Sequence, residues 1–204
     1  MRRLVCVLIV VAFCVFVQTS REVNADDNLI INGGFESGFN GWAIYPSPPW
    51  DEEIDNTVYH SGNSSAELFK QSWGSVIDQT VPCSYAAGSE IEFSFWVNMP
   101  DPGSYSGKWF SATLRVNGQD MSTYNLFNPT QGWVEETLDC TSTEAVTSLG
   151  VELATGAGDG FGYQGPVWVD DVRLTATPEP STFALLGVGV FSLLAYAWRR
   201  RRAR

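Results

Sequence analysis

From Asp26 to Thr177 the apolar residues come in short β-branched and aromatic runs, cut by clusters of Gly, Pro, Asn and Ser. No segment there sustains a helical apolar period. That pattern favours strands and argues against a helical bundle. The runs are Asn28–Ile31, Gly41–Tyr45, Asn56–Tyr59, Ser65–Lys70, Ser75–Val81, Ile91–Met99, Phe110–Val116, Gln131–Asp139, Ser148–Ala154 and Val167–Thr175. Ile91, Phe93, Phe95 and Val97 fall on one face of a strand. Trp168, Asp170, Val172 and Leu174 share a face at period two, opposite Val169, Asp171 and Arg173. Asn117-Gly118 marks a tight hairpin. Nine or ten short strands in 152 residues predict an all-β, two-sheet antiparallel jelly-roll sandwich.

Two apolar segments flank this region. Arg2 and Arg3 precede an uncharged apolar stretch from Leu4 to Val17, and Val23-Asn24-Ala25 supplies small residues before a cut. Residues 1–25 therefore read as a secretory signal peptide, with an uncleaved anchor as the other reading. At the other end stand Pro178-Glu179-Pro180, then eighteen largely apolar residues from Ser181 to Trp198, then Arg199, Arg200, Arg201 and Arg202. As a helix that run would measure about 27 Å, enough to cross a bilayer core. The arginines would hold the C-terminus in the cytoplasm and leave the preceding chain outside.

The region between the flanks is strongly acidic. It holds 21 Asp and Glu against Lys70, Lys108, Arg115 and Arg173, for a net charge of −17. Such a surface repels nucleic acid and anionic lipid, and suits cations or neutral polar ligands. Its two cysteines, Cys83 and Cys140, form an even pair in an exported chain, so a disulfide is expected. The loop it closes would be worth about 4 kcal/mol.

The tail resembles the PEP-CTERM sorting signal of Gram-negative bacteria. The resemblance rests on Pro178, Glu179 and Pro180, the apolar span and the arginine cluster in that order. It implies an exosortase-type sorting enzyme as partner, an inner-membrane-anchored precursor, and delivery to the cell surface or beyond. The domain itself resembles galactose-binding-like jelly rolls and carbohydrate-binding modules of families 4 and 9. The segments that carry this second resemblance are Asn28–Glu36 with Gly41-Trp42, His60–Ala66, Phe93–Val97, Gln131–Trp133 and Val169–Leu174.

The second resemblance implies a structural calcium where the chain ends meet. The matching ligands are the Glu36 side chain, the backbone carbonyls of Gly34 and Asn63, and Asp170; alternation leaves open whether Asp170 or Asp171 points to the metal. It also implies polysaccharide or exopolysaccharide as ligand. Sugars stack their C–H faces on aromatic rings, and Trp42, Trp50, Trp73, Trp96, Trp109, Phe161 and Tyr163 are the candidates, with Tyr45 also near a loop. Phe93, Phe95, Trp133 and Trp168 read as core.

Catalysis has weaker support in the sequence. Asp51–Asp55 clusters carboxylates, but a glycosidase needs two at a set separation. His60 is the only histidine, and no Gly-x-Ser-x-Gly or His-Glu-x-x-His is present. The expectation is a non-catalytic, surface-directed carbohydrate-binding protein. A structural or adhesive protein with no sugar site is the alternative, and a glycoside-active enzyme the more distant one.

Overall fold

The computed structural model describes residues 27–45, 52–68, 75–100, 108–157 and 165–177, together with a few positions between 189 and 200. Ten strands make up the fold: β1 (Ala43–Tyr45), β2 (Glu52–Asp55), β3 (Ser65–Leu68), β4 (Ser75–Tyr85), β5 (Glu90–Asn98), β6 (Lys108–Val116), β7 (Gln119–Leu126), β8 (Val134–Thr141), β9 (Val146–Ala157) and β10 (Val167–Thr177). They form two five-stranded antiparallel sheets. The first runs β1-β4-β9-β6-β7 and the second β2-β3-β10-β5-β8. The expected jelly-roll sandwich is therefore the observed fold.

The core is the layer between the sheets, built by strict alternation. In β5, Ile91, Phe93, Phe95 and Val97 are buried, as are Phe110, Ala112 and Leu114 of β6 and Leu149, Val151 and Leu153 of β9. Phe95 meets Phe110 across the interface at 5.7 Å between ring centroids. Each of the Val, Ile, Leu and Phe side chains among these removes enough apolar surface to contribute about 1.5–3 kcal/mol. The β6–β7 hairpin turns on Asn117 and Gly118, at φ 53° and 78°, the left-handed pair a two-residue type I′ turn requires.

Four expectations change. Asn28–Ile31 is not a strand. It lies along β10, with the Leu29 N–H donating to the Leu174 carbonyl and the Asn28 amide bonding Val172 and Leu174. Asn56–Tyr59 is a turn, because the Asp55 carboxylate accepts from the Thr57 and Val58 N–H groups and pulls the chain out of the ladder. The acidic run at Glu52–Asp55 is an edge strand instead, and polar Gln119–Leu126 is another. Edge strands pack one side only, so both lack a dense apolar pattern.

The fourth change concerns the cysteines, because no disulfide links them. Cys83 and Cys140 are free, half-buried thiols. Cys83 lies in β4, beside the β1 edge of the first sheet, whereas Cys140 lies in β8, the opposite edge of the second. Burial pushes both thiols up from their ordinary value. The signal-peptide residues 1–25 lie outside the described residues, as do Pro178, Glu179, Pro180, Arg201 and Arg202. Of the expected span, Gly189, Ser192 and Leu193 are helical, as are Trp198, Arg199 and Arg200. Among the described residues no helix is long and apolar enough to cross a membrane.

Candidate functional site

Three places gather polar and aromatic groups. The first is the corner where the two ends of the domain meet. A β-bulge lies between Asp170 and Arg173, with Asp171 at φ 49°. The bulge resets the alternation. Val167 and Val169 face the core before it, Val172 and Leu174 after it, and Asp170 does not share the Val172 face as the period-two reading had it.

Asp170 is fully buried. Its Oδ2 accepts from the His60 and Ser61 N–H groups at 2.8 and 3.0 Å, and its Oδ1 from the Asp171 N–H at 2.7 Å. Burial raises its pKa, and the three N–H donors act against that rise. Glu36 does similar work one turn away: its Oε1 accepts from the Asn63 and Ser64 N–H groups. A Cβ on Gly34 would stand 3.8 Å from both Asp170 Oδ1 and Asp171 Oδ1. Gly34, Glu36, Asn63, Asp170 and Asp171 thus lie near one corner, where the carboxylates of Glu36, Asp170 and Asp171 serve as acceptors and the Asn63 amide donates to Glu36 Oε2. The donors are all oxygens, the type calcium takes. Lone pairs remain on Asp170 Oδ1 and Glu36 Oε2, since an ionised carboxylate offers about four acceptor positions. Among the described residues, however, no group of three or more Asp, Glu, His or Cys is arranged to hold a metal ion.

The second place is the outer face of the second sheet. His60 stacks on Trp96 at 3.7 Å between centroids and meets the edge of Trp133 at 5.8 Å. Its Nδ1 lies 2.7 Å from Asp171 Oδ2, and the Ser61 hydroxyl donates to Asp171 Oδ1. Trp96 does face outward, with His60 lying on its ring. Trp133 and Trp168 are only partly buried, contrary to the core reading. Trp168 sits outside the sheet, where its Nε1 donates to Asp55.

The third place is the outer face of the first sheet. Its floor is made of small side chains: Ala43, Gly150, Ala154, Gly156, Ser111 and Thr113 alternate outward from β1, β9 and β6. Trp109 lies against Gly156, so closely that any Cβ there would meet the indole. Tyr45, one row away along the sheet, is 55% exposed. Beside these rings Asp78 of β4 stands directly opposite Glu152 of β9. Arg115 clamps Glu152 at 2.9 Å and Asp120 at 2.7 Å. Burial pushes the Asp78 carboxyl up, Glu152 adds to the rise, and Arg115 opposes it.

Of the expected sugar contacts among the described residues, Trp109 alone stands on this face. Trp42 is 8% exposed, stacks on Phe35 at 5.2 Å and donates to the Asn32 carbonyl, so it belongs to the core. Trp50, Trp73, Phe161 and Tyr163 lie outside the described residues. Sequence reasoning missed Asp78, Glu152 and Arg115. Their outward alternation in β4, β9 and β6 was the available signal.

Residues 176–202 match the model of the PEP-CTERM protein-sorting motif. The sorting tail thus has the identity its order of features implied. No curated protein matches the chain. Among solved structures, the carbohydrate-binding module TmCBM61, determined in complex with β-1,4-galactotriose, aligns at TM-score 0.54 and 16% identity. It covers 74% of this chain and 99% of its own. A family 16 carbohydrate-binding module aligns at 0.52 and 16%, covering 72% and 99%. A cyclase from Fischerella sp. TAU aligns at 0.57 and 16%, covering 73% and 96%. At such identities the likeness is one of fold, and binding modules and an enzyme share it.

Proposed function

We propose that this chain is an exported protein whose sandwich binds polysaccharide without catalysis, and whose tail is read by an exosortase-type sorting enzyme. The precursor then stands in the inner membrane with the sandwich outside and the arginines in the cytoplasm, and the mature domain reaches the cell surface or the surrounding matrix. The observation that carries the binding reading is the face of the first sheet. Trp109 and Tyr45 flank a floor of small side chains, and Asp78 and Glu152 offer acceptors to sugar hydroxyls within the same sheet. Flat apolar rings beside fixed polar groups are what a saccharide requires. The resemblance to carbohydrate-binding modules and the likeness in fold to two of them support the same reading.

We also propose calcium as a stabilising ion at the Glu36–Asp170 corner. The carbonyls of Gly34 and Asn63 would supplement the lightly used oxygens of Asp170 and Glu36 there.

A glycan array probed with the protein tests the binding reading, followed by titration of any hit with the Trp109→Ala and Tyr45→Ala variants. Each truncation should weaken binding roughly tenfold or more, the loss expected for a central aromatic contact. Binding to no glycan would favour the structural or adhesive alternative, which gains support from the burial of Trp42 and the covering of Trp96 by His60.

A further inference from the structure

The sheet opposite the Tyr45–Trp109 platform carries a cavity of its own, about 510 Å³ in volume. That is a typical size for a small-molecule site. Three neighbouring strands line it: Glu90 and Glu92 from β5, Asp139 and Thr141 from β8, and Arg173 and Thr175 from β10. The register places Glu92 directly between Asp139 on one side and Thr175 on the other, with Glu90 beside Thr141 in the next row. Glu90, Glu92, Asp139 and Thr141 are exposed.

Two like charges held opposite each other destabilise a sheet, and a cation between Glu92 and Asp139 would relieve that cost. The cavity's volume suits a ligand larger than a bare ion. Among the described residues no aromatic side chain lines the cavity, so recognition by them comes from charge and hydrogen bonds rather than stacking. Three carboxylates against one guanidinium favour a positive ligand. The threonine hydroxyls, which both donate and accept, favour one rich in hydroxyls.

We propose that this cavity is a second saccharide site, separate from the first face, which takes a sugar chain bearing free ammonium groups. Carboxylates would pair with the ammonium groups, while Thr141, Thr175 and Arg173 would bond the hydroxyls and ring oxygens. With sites on opposite layers, one domain would bridge two chains of a matrix.

Titration calorimetry of the full protein with a glucosamine oligomer tests this, with the N-acetylated oligomer and spermidine as comparisons. The glucosamine oligomer should bind more tightly than either, and the Glu92→Gln/Asp139→Asn double variant should weaken it roughly tenfold. Both positions are exposed, so an unchanged melting curve in the variant separates lost binding from lost folding. Equal binding of the acetylated oligomer would overturn the ammonium claim, and equal binding of spermidine the saccharide claim. Binding that survives the double variant and falls with Trp109→Ala would overturn the second site while leaving the first-face reading intact.

Discussion

Asp170 shows how much of this domain's stability can depend on one side chain. It is fully buried, and three backbone N–H groups from two segments end on its oxygens. Asp170→Ala would leave those donors unsatisfied in the interior, and each costs about 1–3 kcal/mol. Asp170→Asn keeps one oxygen but turns an amide donor toward one of the N–H groups. Urea melts should therefore rank wild type above Asn and Asn above Ala, with Ala losing at least ~3 kcal/mol. If calcium occupies the corner, chelation should lower the wild-type melt and leave the Ala variant's melt unmoved; an unmoved wild type would sink the calcium reading. The family resemblance grouped Gly34, Glu36, Asn63 and Asp170; in the structure Gly34 lies beside Asp170, and Glu36 accepts from the Asn63 N–H. The period-two reading misjudged which residues share a face in β10, because a bulge at Asp171 is set by backbone geometry that alternation does not reveal.

At the scale of the element, the edge strand β2 carries a switchable contact. Glu53 stands directly opposite Glu67 of β3, with Asp55 nearby and neutral Trp168 of β10 on the far side of Glu67. Burial pushes the Glu67 carboxyl up to about 7, and the Glu53 charge and hydrogen bond add to the rise. A folded pKa above the ordinary value of 4.5 means that the protonated form stabilises the fold. That contribution is complete below about 4.5 and is lost as pH rises through about 7. Because Glu67 is partly open to solvent, the loss should be about 1 kcal/mol rather than the full value of the shift. Melting temperature should fall between pH 5 and pH 8, and Glu67→Gln, which keeps a hydrogen-bond donor toward Glu53, should flatten part of that fall. An identical pH profile in the variant would remove Glu67 as the cause. The same strand explains where sequence reading failed. A short edge strand made mostly of acidic residues looks like a loop, and polar β7 was hidden in the same way although its Asn-Gly turn was plain.

At the scale of the whole molecule, the described core and the sorting motif occupy successive stretches of the chain that meet at Ala176. Every residue of the core cluster lies between Ile30 and Ala176, and the matched sorting motif spans 176–202. Core strands were legible in the sequence because inward and outward residues alternate cleanly in β5, β6 and β9. The cysteine pair misled because an exported chain raises the prior for a disulfide, whereas the topology assigns Cys83 to β4 of the first sheet and Cys140 to β8, an edge strand of the second, where both remain free thiols. With no covalent staple, stability comes from non-covalent contacts, chiefly the packed layer and hydrogen bonds such as those of Asp170. A chain ending at Thr177 should therefore melt as the full protein's sandwich does, and added reductant should leave that melt unchanged. A bond closing so long a loop would be worth about 4 kcal/mol and could not be reduced unnoticed. A drop in melting temperature with reductant would show that the thiols pair after all. A drop on truncation alone would show that the tail contributes to the domain it delivers.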